Sequence, residues 1–291
     1  MNVLIIQLLV NGFIAGSFYA LAGVSWGVIY RTTRTFHFSH LLVFSVAGYA
    51  AVMVTAQIHL PYIFGLIAAI LASLILGYSI EAFLYRTLRK LGATQATTFL
   101  ASLGLATAGV ATLLLIFSSN PRPLKGFPTG RLSIGSADFT PADLTMVIVS
   151  WAVIGLLLLF LNKSRMGKAI RAVGSNAEMA QNLGLDMGKV FLLVFCIGSG
   201  LFGVAAFLFT AKNVAYPTMG IHPFFMSFTA VFLGGVTSIP GHMLAGFILG
   251  LAENLGMIVL PGEYRTIIPF AILFLVILIK PEGLLHKKIG N

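Results

Sequence analysis

The sequence predicts an all-α polytopic membrane protein with about nine transmembrane helices (eight to ten), its N-terminus outside and its C-terminus in the cytoplasm. Three observations predict it. Of 291 residues, 58% are hydrophobic and only 9% charged, with a mean hydropathy of +0.98, whereas soluble domains carry roughly 25% charged residues. Apolar segments recur along the whole chain, many near the ~20 residues that a helix needs to cross the hydrocarbon core. The cations, finally, collect on alternate connections between those segments.

The apolar segments cover residues 3–30, 41–58, 62–85, 96–118, 144–162, 190–211, 223–234, 242–260 and 266–279. Some are short or interrupted, which leaves eight to ten crossings open. The first could be mistaken for a signal peptide, but no Lys or Arg precedes it and its apolar run is about twice the usual length. It reads as a retained span. Thirteen of the 18 Lys and Arg fall in 31–40, 86–95, 163–189 and 280–291. Arg122, Lys125, Arg131, Lys212 and Arg265 occupy the others. The excess of cations marks the cytoplasmic connections, so the crossing number is odd, with nine as the central count. The whole of 1–291 reads as one transmembrane domain.

Residues 118–143 form an exterior loop too rich in Pro and Gly to be one helix, and it can present a docking surface to an external partner. Its end is a helix start, with Thr140 as cap, Pro141 in the first turn and Asp143 behind it. The cytoplasmic connection 163–189 is a charged island between apolar runs. Arg165 to Val173 has Met166, Ala169, Ile170 and Val173 on one helical face and Arg165, Lys168 and Arg171 elsewhere. Gly174 ends that helix. Ser175 and Glu178 have capping-box spacing for a second short helix that Gly184 closes, and Asp186 can cap the next span. Such a design fits either a helix lying on anionic lipid or one that docks in a partner subunit. Gly12 with Gly16, and Gly246 with Gly250, each put two glycines on one helix face for close packing.

Several chemistries are excluded. No G-x-x-x-x-G-K-[ST] phosphate loop and no H-E-x-x-H occurs. Cys196 is the only cysteine, which rules out a disulfide within the chain and a cysteine metal site. His37 and His40 share an i, i+3 face, but no nearby carboxylate or thiol completes a metal site. The net charge of +10 comes from cations that flank spans, so it points to membrane lipid and not to nucleic acid.

The polar groups that remain gather in two places. In 35–51, His37, Ser39, His40 and Ser45 open a span. In 232–246, Gly234, Gly235, Pro240 and Gly241 break an apolar run that also carries Thr237, Ser238 and His242. Irregular backbone at membrane depth survives only where protein buries it or water lines it, and interrupted apolar segments in two halves mark a transport pathway. A plain turn is the competing reading for the second stretch. Glu253, deep in an apolar run, needs a partner, a wet cavity or a proton. Glu81 stands one turn from Arg86 and can snorkel.

NGFIAGSFYALAGVSWGVIYRTTRTFHFSH, NPRPLKGFPTGRLSIG, SRMGKAIRAVGSNAEMAQNLGLDMGKVFLLVFCIGSGLFGVAAFL, GGVTSIPGHMLAGFILGLAENLG and KPEGLL together resemble the permease subunits of branched-chain amino acid ABC importers, the LivH-type family. The likeness runs nearly end to end, and the island and GGVTSIPG are its most specific parts. Where that family reads Asn-Phe-Ala-His-Gly-Glu, this chain has His37-Phe38-Ser39-His40-Leu41-Leu42, and His242 replaces a small residue. The resemblance implies a type II-like importer fold in a bacterial cytoplasmic (inner) membrane, carrying branched-chain amino acids or a related small polar solute. It implies four kinds of partner: a second related permease (a heterodimer over a homodimer), two ATPase subunits, an external substrate-binding protein and membrane lipid. No cofactor is expected on this chain, since ATP and Mg belong to the ATPases, so it is not itself an enzyme. The pathway residues are then His37, Ser39, His40, Ser45, Thr237, Ser238, His242 and Glu253. The island becomes the coupling element, with Ala180 and Leu183 as apolar anchors, Glu178 and Arg171 at the polar rim, and Gly174 and Gly184 as helix ends. The alternative is a secondary transporter or channel needing no ATPase, which fits poorly with Glu253 as the sole deeply placed acid. A membrane-embedded enzyme lacks any nucleophile–base or metal constellation.

Overall fold

A computed structural model describes residues 2–135, 137–259, 261, 264, 267–280 and 283. Lys287, Lys288 and Arg265, counted above for orientation, and most of the KPEGLL segment lie outside the described residues. Among the described residues the nine apolar segments are helices, with three shorter helices added. They are α1 (Asn2–Thr33), α2 (His40–Ala56), α3 (Tyr62–Ser79), α4 (Arg86–Lys90), α5 (Gln95–Phe117), α6 (Pro141–Lys163), α7 (Arg165–Ser175), α8 (Ala177–Asn182), α9 (Met187–Lys212), α10 (Ile221–Gly234), α11 (Ile239–Leu255) and α12 (Ile267–Ile279). A π-helical turn (Ile80–Tyr85) joins α3 to α4, and a 3-10 turn (Gly256–Ile258) follows α11.

Six of these segments are long and apolar enough to cross a membrane: Val3–Thr33, Tyr62–Lys90, Gln95–Phe117, Pro141–Lys163, Met187–Lys212 and Ile239–Ile258. The helices α2, α10 and α12 are shorter. At about 1.5 Å per residue, the 14 residues of α10 rise roughly 21 Å, less than the ~30 Å hydrocarbon core.

Among the described residues the chain also departs from all-α by four strands of two or three residues. β1 (Arg122–Pro123) pairs antiparallel with β4 (Val214–Ala215), and β2 (Leu132–Ile134) with β3 (Ala137–Phe139). Proline and glycine rule out helix in the 118–140 loop, and short ladders then satisfy part of its backbone. Gln7 continues β3, its amide accepting from Asp138 N and donating to Asp138 O, both at 2.8 Å. At the loop's end Thr140 and Asp143 exchange caps: Asp143 N donates to Thr140 Oγ1 at 3.2 Å and Thr140 N to Asp143 Oδ2 at 2.9 Å.

The helices form two compact units that interleave along the sequence, so no single cut separates them. One contains residues 1–27, 128–154 and 225–291; the other contains 28–127 and 155–224.

In the first unit, α1 and α11 approach through glycine, as the paired-glycine spacing predicts. A Cβ on Gly250 would overlap the Gly16 backbone, one on Gly16 would lie 2.6 Å from Phe247 O, and one on Gly12 would lie 3.1 Å from Leu251 Cα. Ala230, Leu233, Ala245, Leu249 and Leu273 make a buried cluster beside this contact. Trp151 on α6 reaches α1 by donating Nε1–H to Ser17 Oγ at 2.9 Å.

In the second unit, α2, α3 and α9 pack on one another. The buried residues of α3 are Gly65, Ala69, Ser73 and Gly77, one small residue per turn. Ala69, Ser73 and Gly77 receive α9, where a Cβ on Gly203 would overlap Ser73 Oγ and a Cβ on Gly77 would overlap Ser199 Oγ, while Gly65 meets Ala51 and Thr55 on α2. Ile63, Phe64, Ile67, Leu71 and Ile75 on the rest of α3 stay exposed, as suits a lipid-facing surface. In lipid, association rests on such close backbone approach because apolar burial gains nothing there.

Candidate functional site

The residues predicted to line a pathway divide between the two units. His37, Ser39, His40 and Ser45 belong to the second, and Thr237, Ser238, His242 and Glu253 to the first.

In the second unit, the segment between α1 and α2 folds inward with the start of α2, and all four predicted side chains there have no accessible surface. Two further residues complete a buried polar chain there, Tyr85 at the end of the π-helical turn and Ser102 on α5. Tyr85 Oη donates to Ser102 Oγ at 2.7 Å, so its oxygen is left to accept, and His37 Nδ1, at 2.9 Å, carries the hydrogen. Ser102 Oγ also accepts from Ser39 N at 2.9 Å, while Ser39 Oγ donates to the Ser102 carbonyl at 2.7 Å. That second bond diverts Ser39 from its local role. It stands at the N-cap of α2 yet makes no side-chain cap. Aromatic rings close the site: Phe195 meets His37 edge-on at 5.0 Å, and Phe202 stacks on His40 at 4.0 Å. Ser45 Oγ accepts from Gly220 N at 3.3 Å. Neither Tyr85 nor Ser102 stands out in the sequence, since Tyr85 closes an apolar run and Ser102 is one of several hydroxyls along α5.

In the first unit, the glycine-broken stretch is a tight turn. α10 ends at Gly234, Gly235 takes φ +93°, and Ser238 caps α11 by accepting from Gly241 N at 3.1 Å. A Cβ on Gly234 or Gly241 would overlap the other's backbone, so the two helices touch at the turn itself. His242 is fully buried, with its ring against Gly27 and Nε2 3.1 Å from Gly235 O. Thr237 and Ser238 alone of the eight predicted pathway residues are partly exposed. Glu253 is 1% exposed, and the neighbouring Asn254 donates to Gly250 O at 2.8 Å. A groove of about 190 Å³ lies elsewhere in this unit, among Val10, Phe13, Phe139, Leu144 and Val147; its apolar walls suit no polar solute.

Glu81 differs from expectation. It is 1% exposed and pairs with Arg89, not Arg86. The π-helical turn shifts the register between the two residues, and Arg89 also lies over the Phe191 ring at 4.9 Å.

The 163–189 island is a helix pair with altered details. Ser164 caps α7, accepting from Gly167 N at 2.8 Å. Gly167, Ile170, Val173 and Gly174 form its buried face, while Met166 is 45% exposed. Glycine permits that face to press on backbone at Gly167, where a Cβ would overlap Phe160 O, whereas a Cβ on Gly174 would meet Arg31 at ordinary contact distance. Gly174 lies inside α7, which runs to Ser175. Asn176, not Ser175, caps α8 by accepting from Met179 N at 2.9 Å. Gly184, at φ +84°, ends it, and Asp186 caps α9 as predicted, accepting from Lys189 N at 3.1 Å. That backbone bond, aided by the Lys189 side chain, holds the Asp186 carboxyl below its usual range. Ala180 is 3% exposed and packs within the chain, so it is no free anchor. Met179 and Leu183 are 60% and 79% exposed. Glu178 is exposed too, and Arg171 donates to Asn162 Oδ1 at 2.6 Å.

Compared with known proteins, the sequence model of the family described as branched-chain amino acid transport system / permease component matches residues 8–277. The chain belongs to this permease family. The permease is 32% identical to the high-affinity branched-chain amino acid transport system permease protein LivH of Salmonella typhimurium strain LT2, over 97% of this chain and 96% of that protein. Pseudomonas aeruginosa BraD, described in the same words, is 33% identical, and Escherichia coli K12 LivH 32%, with the same coverage. The permease therefore matches these relatives over nearly their whole length, and its helix pair and glycine turn fall inside the matched region.

Proposed function

We propose that the permease forms half of the membrane pathway of an ATP-driven importer for branched-chain amino acids or a related small polar solute. The names of its full-length relatives support the substrate class and the transport role. In this reading it crosses a bacterial cytoplasmic membrane nine times in a type II-like fold, with residues 118–143 outside and 163–189 inside. It pairs with a second, related permease, receives solute from an external binding protein, and is driven by two ATPases that carry ATP and Mg.

One observation carries the coupling role: α8 presents Met179 and Leu183 to the outside while α7 is wedged onto the ends of two long helices. α7 rests on α6 through Gly167 and the Arg171–Asn162 bond, and on the end of α1 through Gly174. α8 follows α7 with only Asn176 between them, and Asp186 then starts α9. A push on α8 therefore reaches α1, α6 and α9 together. An apolar side chain with glycine-rich backing is the kind of anchor that fills a groove on a partner, with Glu178 and Arg171 at its rim. Thr237 and Ser238 are accessible for contact with solute. His37, Ser39, His40, Ser45, His242 and Glu253 are closed off in this state, and their part is to hold the helices whose shifts open the route.

Leu183→Asp tests this. An unpaired carboxylate placed in the docking contact costs a few kcal/mol, and Leu183 packs on little within the chain, so folding is spared. The variant should insert normally, lose its ATPases on purification, and abolish transport-stimulated ATP hydrolysis. Retained ATPases with full stimulation would end the docking reading.

A further inference from the structure

Three guanidinium groups gather where α1 ends and α7 crosses it. Arg31 lies in the last turn of α1, Arg34 just past it, and Arg171 on α7; the charges of Arg171 and Arg34 both act on Arg31. Arg31 is half-buried against Gly174, where a Cβ would lie 3.4 Å from its Cγ and 3.5 Å from its Nε. That Nε is shut off from solvent and has no hydrogen-bond partner among the described residues. Among the described residues, none of the three arginines pairs with a carboxylate; the ion pairs formed there, such as Arg89–Glu81, Arg131–Asp138 and Lys189–Asp186, involve other cations. Arg34 adds a conformational cost, since it takes φ +54° at the helix end, where glycine is the cheap residue. It is held there by its N–H to Tyr30 O at 2.9 Å and by Gln95 Nε2, which donates to its carbonyl at 3.3 Å.

The carbonyl end of α1 attracts a cation, which accounts for one arginine in the last turn. It does not account for three, nor for an enclosed Nε with no acceptor. Burying a guanidinium without a hydrogen bond is unfavourable, and crowding two more beside it adds to the cost. An anion with several oxygens beside the cluster would offset the crowding of charge.

We propose that Arg31, Arg34 and Arg171 bind the phosphate of an anionic phospholipid headgroup. Phosphate matches the guanidinium fork, which is planar and presents paired donors. A lipid source follows from position. α1 is long enough to span the bilayer, so its last turn stands at headgroup level. Beside the cluster, Arg165 and Lys168 extend the positive surface along α7, as polybasic segments do on anionic leaflets. The lipid would brace the α1–α7 contact. The site holds whichever side of the membrane α7 occupies, so it stands or falls separately from the orientation.

The test is native mass spectrometry of the full chain with its accompanying subunits, purified with an equimolar mixture of phosphatidylglycerol and phosphatidylcholine. Wild type should retain phosphatidylglycerol selectively. Arg31→Gln and Arg171→Gln should each lower the retained amount about fivefold or more, while Lys90→Gln on an exposed turn should not. If Arg31→Gln fails to fold, Arg171→Gln decides alone, because the hydrogen bond that Arg171 makes to Asn162 is solvent-exposed. Equal retention by wild type and variants would overturn the proposal. So would inorganic phosphate displacing phosphatidylglycerol from wild type at millimolar concentration, which would assign the site to a free anion. Loss of the ATPases from Arg171→Gln with the lipid count unchanged would also overturn it, by giving the arginines a partner carboxylate.

Discussion

At the scale of single residues, the permease shows how a membrane chain spends its few polar groups. His37, Tyr85, Ser102 and Ser39 come from three different parts of the sequence and form one closed hydrogen-bonded chain with no accessible surface. Removing one link strands the others. Tyr85→Phe leaves the His37 N–H without its acceptor and should cost about 1–3 kcal/mol, read as earlier unfolding of the purified permease in a denaturant series. Ser102→Ala should cost a similar amount. Because both act through one network, the double variant should cost clearly less than the sum; strict additivity would show that the four residues do not act together. Of this site the sequence discloses His37 and Ser39, since two imidazoles and a hydroxyl at the mouth of an apolar run are conspicuous. It hides Tyr85 and Ser102, because what matters about them is which helix face they occupy and what another segment brings to it. The enclosure of His40, Ser45 and His242 is hidden for the same reason: polarity marks a residue as costly to bury, but not whether protein or water answers the cost.

At the scale of elements, apolar length predicts the helices well, and the predicted caps at Thr140 and Asp186 are formed because they are local. The details that fail depend on a neighbour. Gly174 looks like a helix stop, yet it is buried against Arg31 while α7 runs on to Ser175 and the Asn176 side chain starts the next helix. Glu81 looks like a snorkelling acid, yet a π-helical turn brings Arg89 to it. The one-per-turn stripe on α3 is legible as small residues, but the helix it serves becomes plain only when α9 lies against it. This stripe makes a contrast that can be measured. Gly203→Val on α9 would drive a branched side chain into Ser73 and the Ala69 carbonyl, so α3 and α9 must part, at about 1–3 kcal/mol. Gly104→Val on α5, where a Cβ meets nothing within 4 Å, should leave the unfolding midpoint of the isolated chain unchanged. Equal effects of the two substitutions would mean that the α3–α9 contact contributes nothing special.

At the scale of the whole molecule, the arrangement along the chain is a matter of charge. The cations on 31–40, 86–95 and 163–189 sit at helix ends or between helices, and α7 keeps Arg165, Lys168 and Arg171 off its buried face. Translocation of short loops is opposed by Lys and Arg, so these connections should share the cytoplasmic side, opposite the hairpin loop before α6. Labelling decides it, provided the introduced cysteines are exposed and unstrained. Gly174 is unsuitable because it packs on Arg31, and Gly130 because its φ of +154° resists a side chain. Thr129 and Gln181 are both exposed. In a Cys196→Ser background, Thr129→Cys in intact cells should react with a membrane-impermeant maleimide, and Gln181→Cys should react only after the membrane is opened. Reaction of both from one side would mean that α6 does not cross between them, whereas the swapped pattern, Gln181→Cys reacting in intact cells and Thr129→Cys only after opening, would reverse the orientation and take α8 away from the compartment that holds ATP.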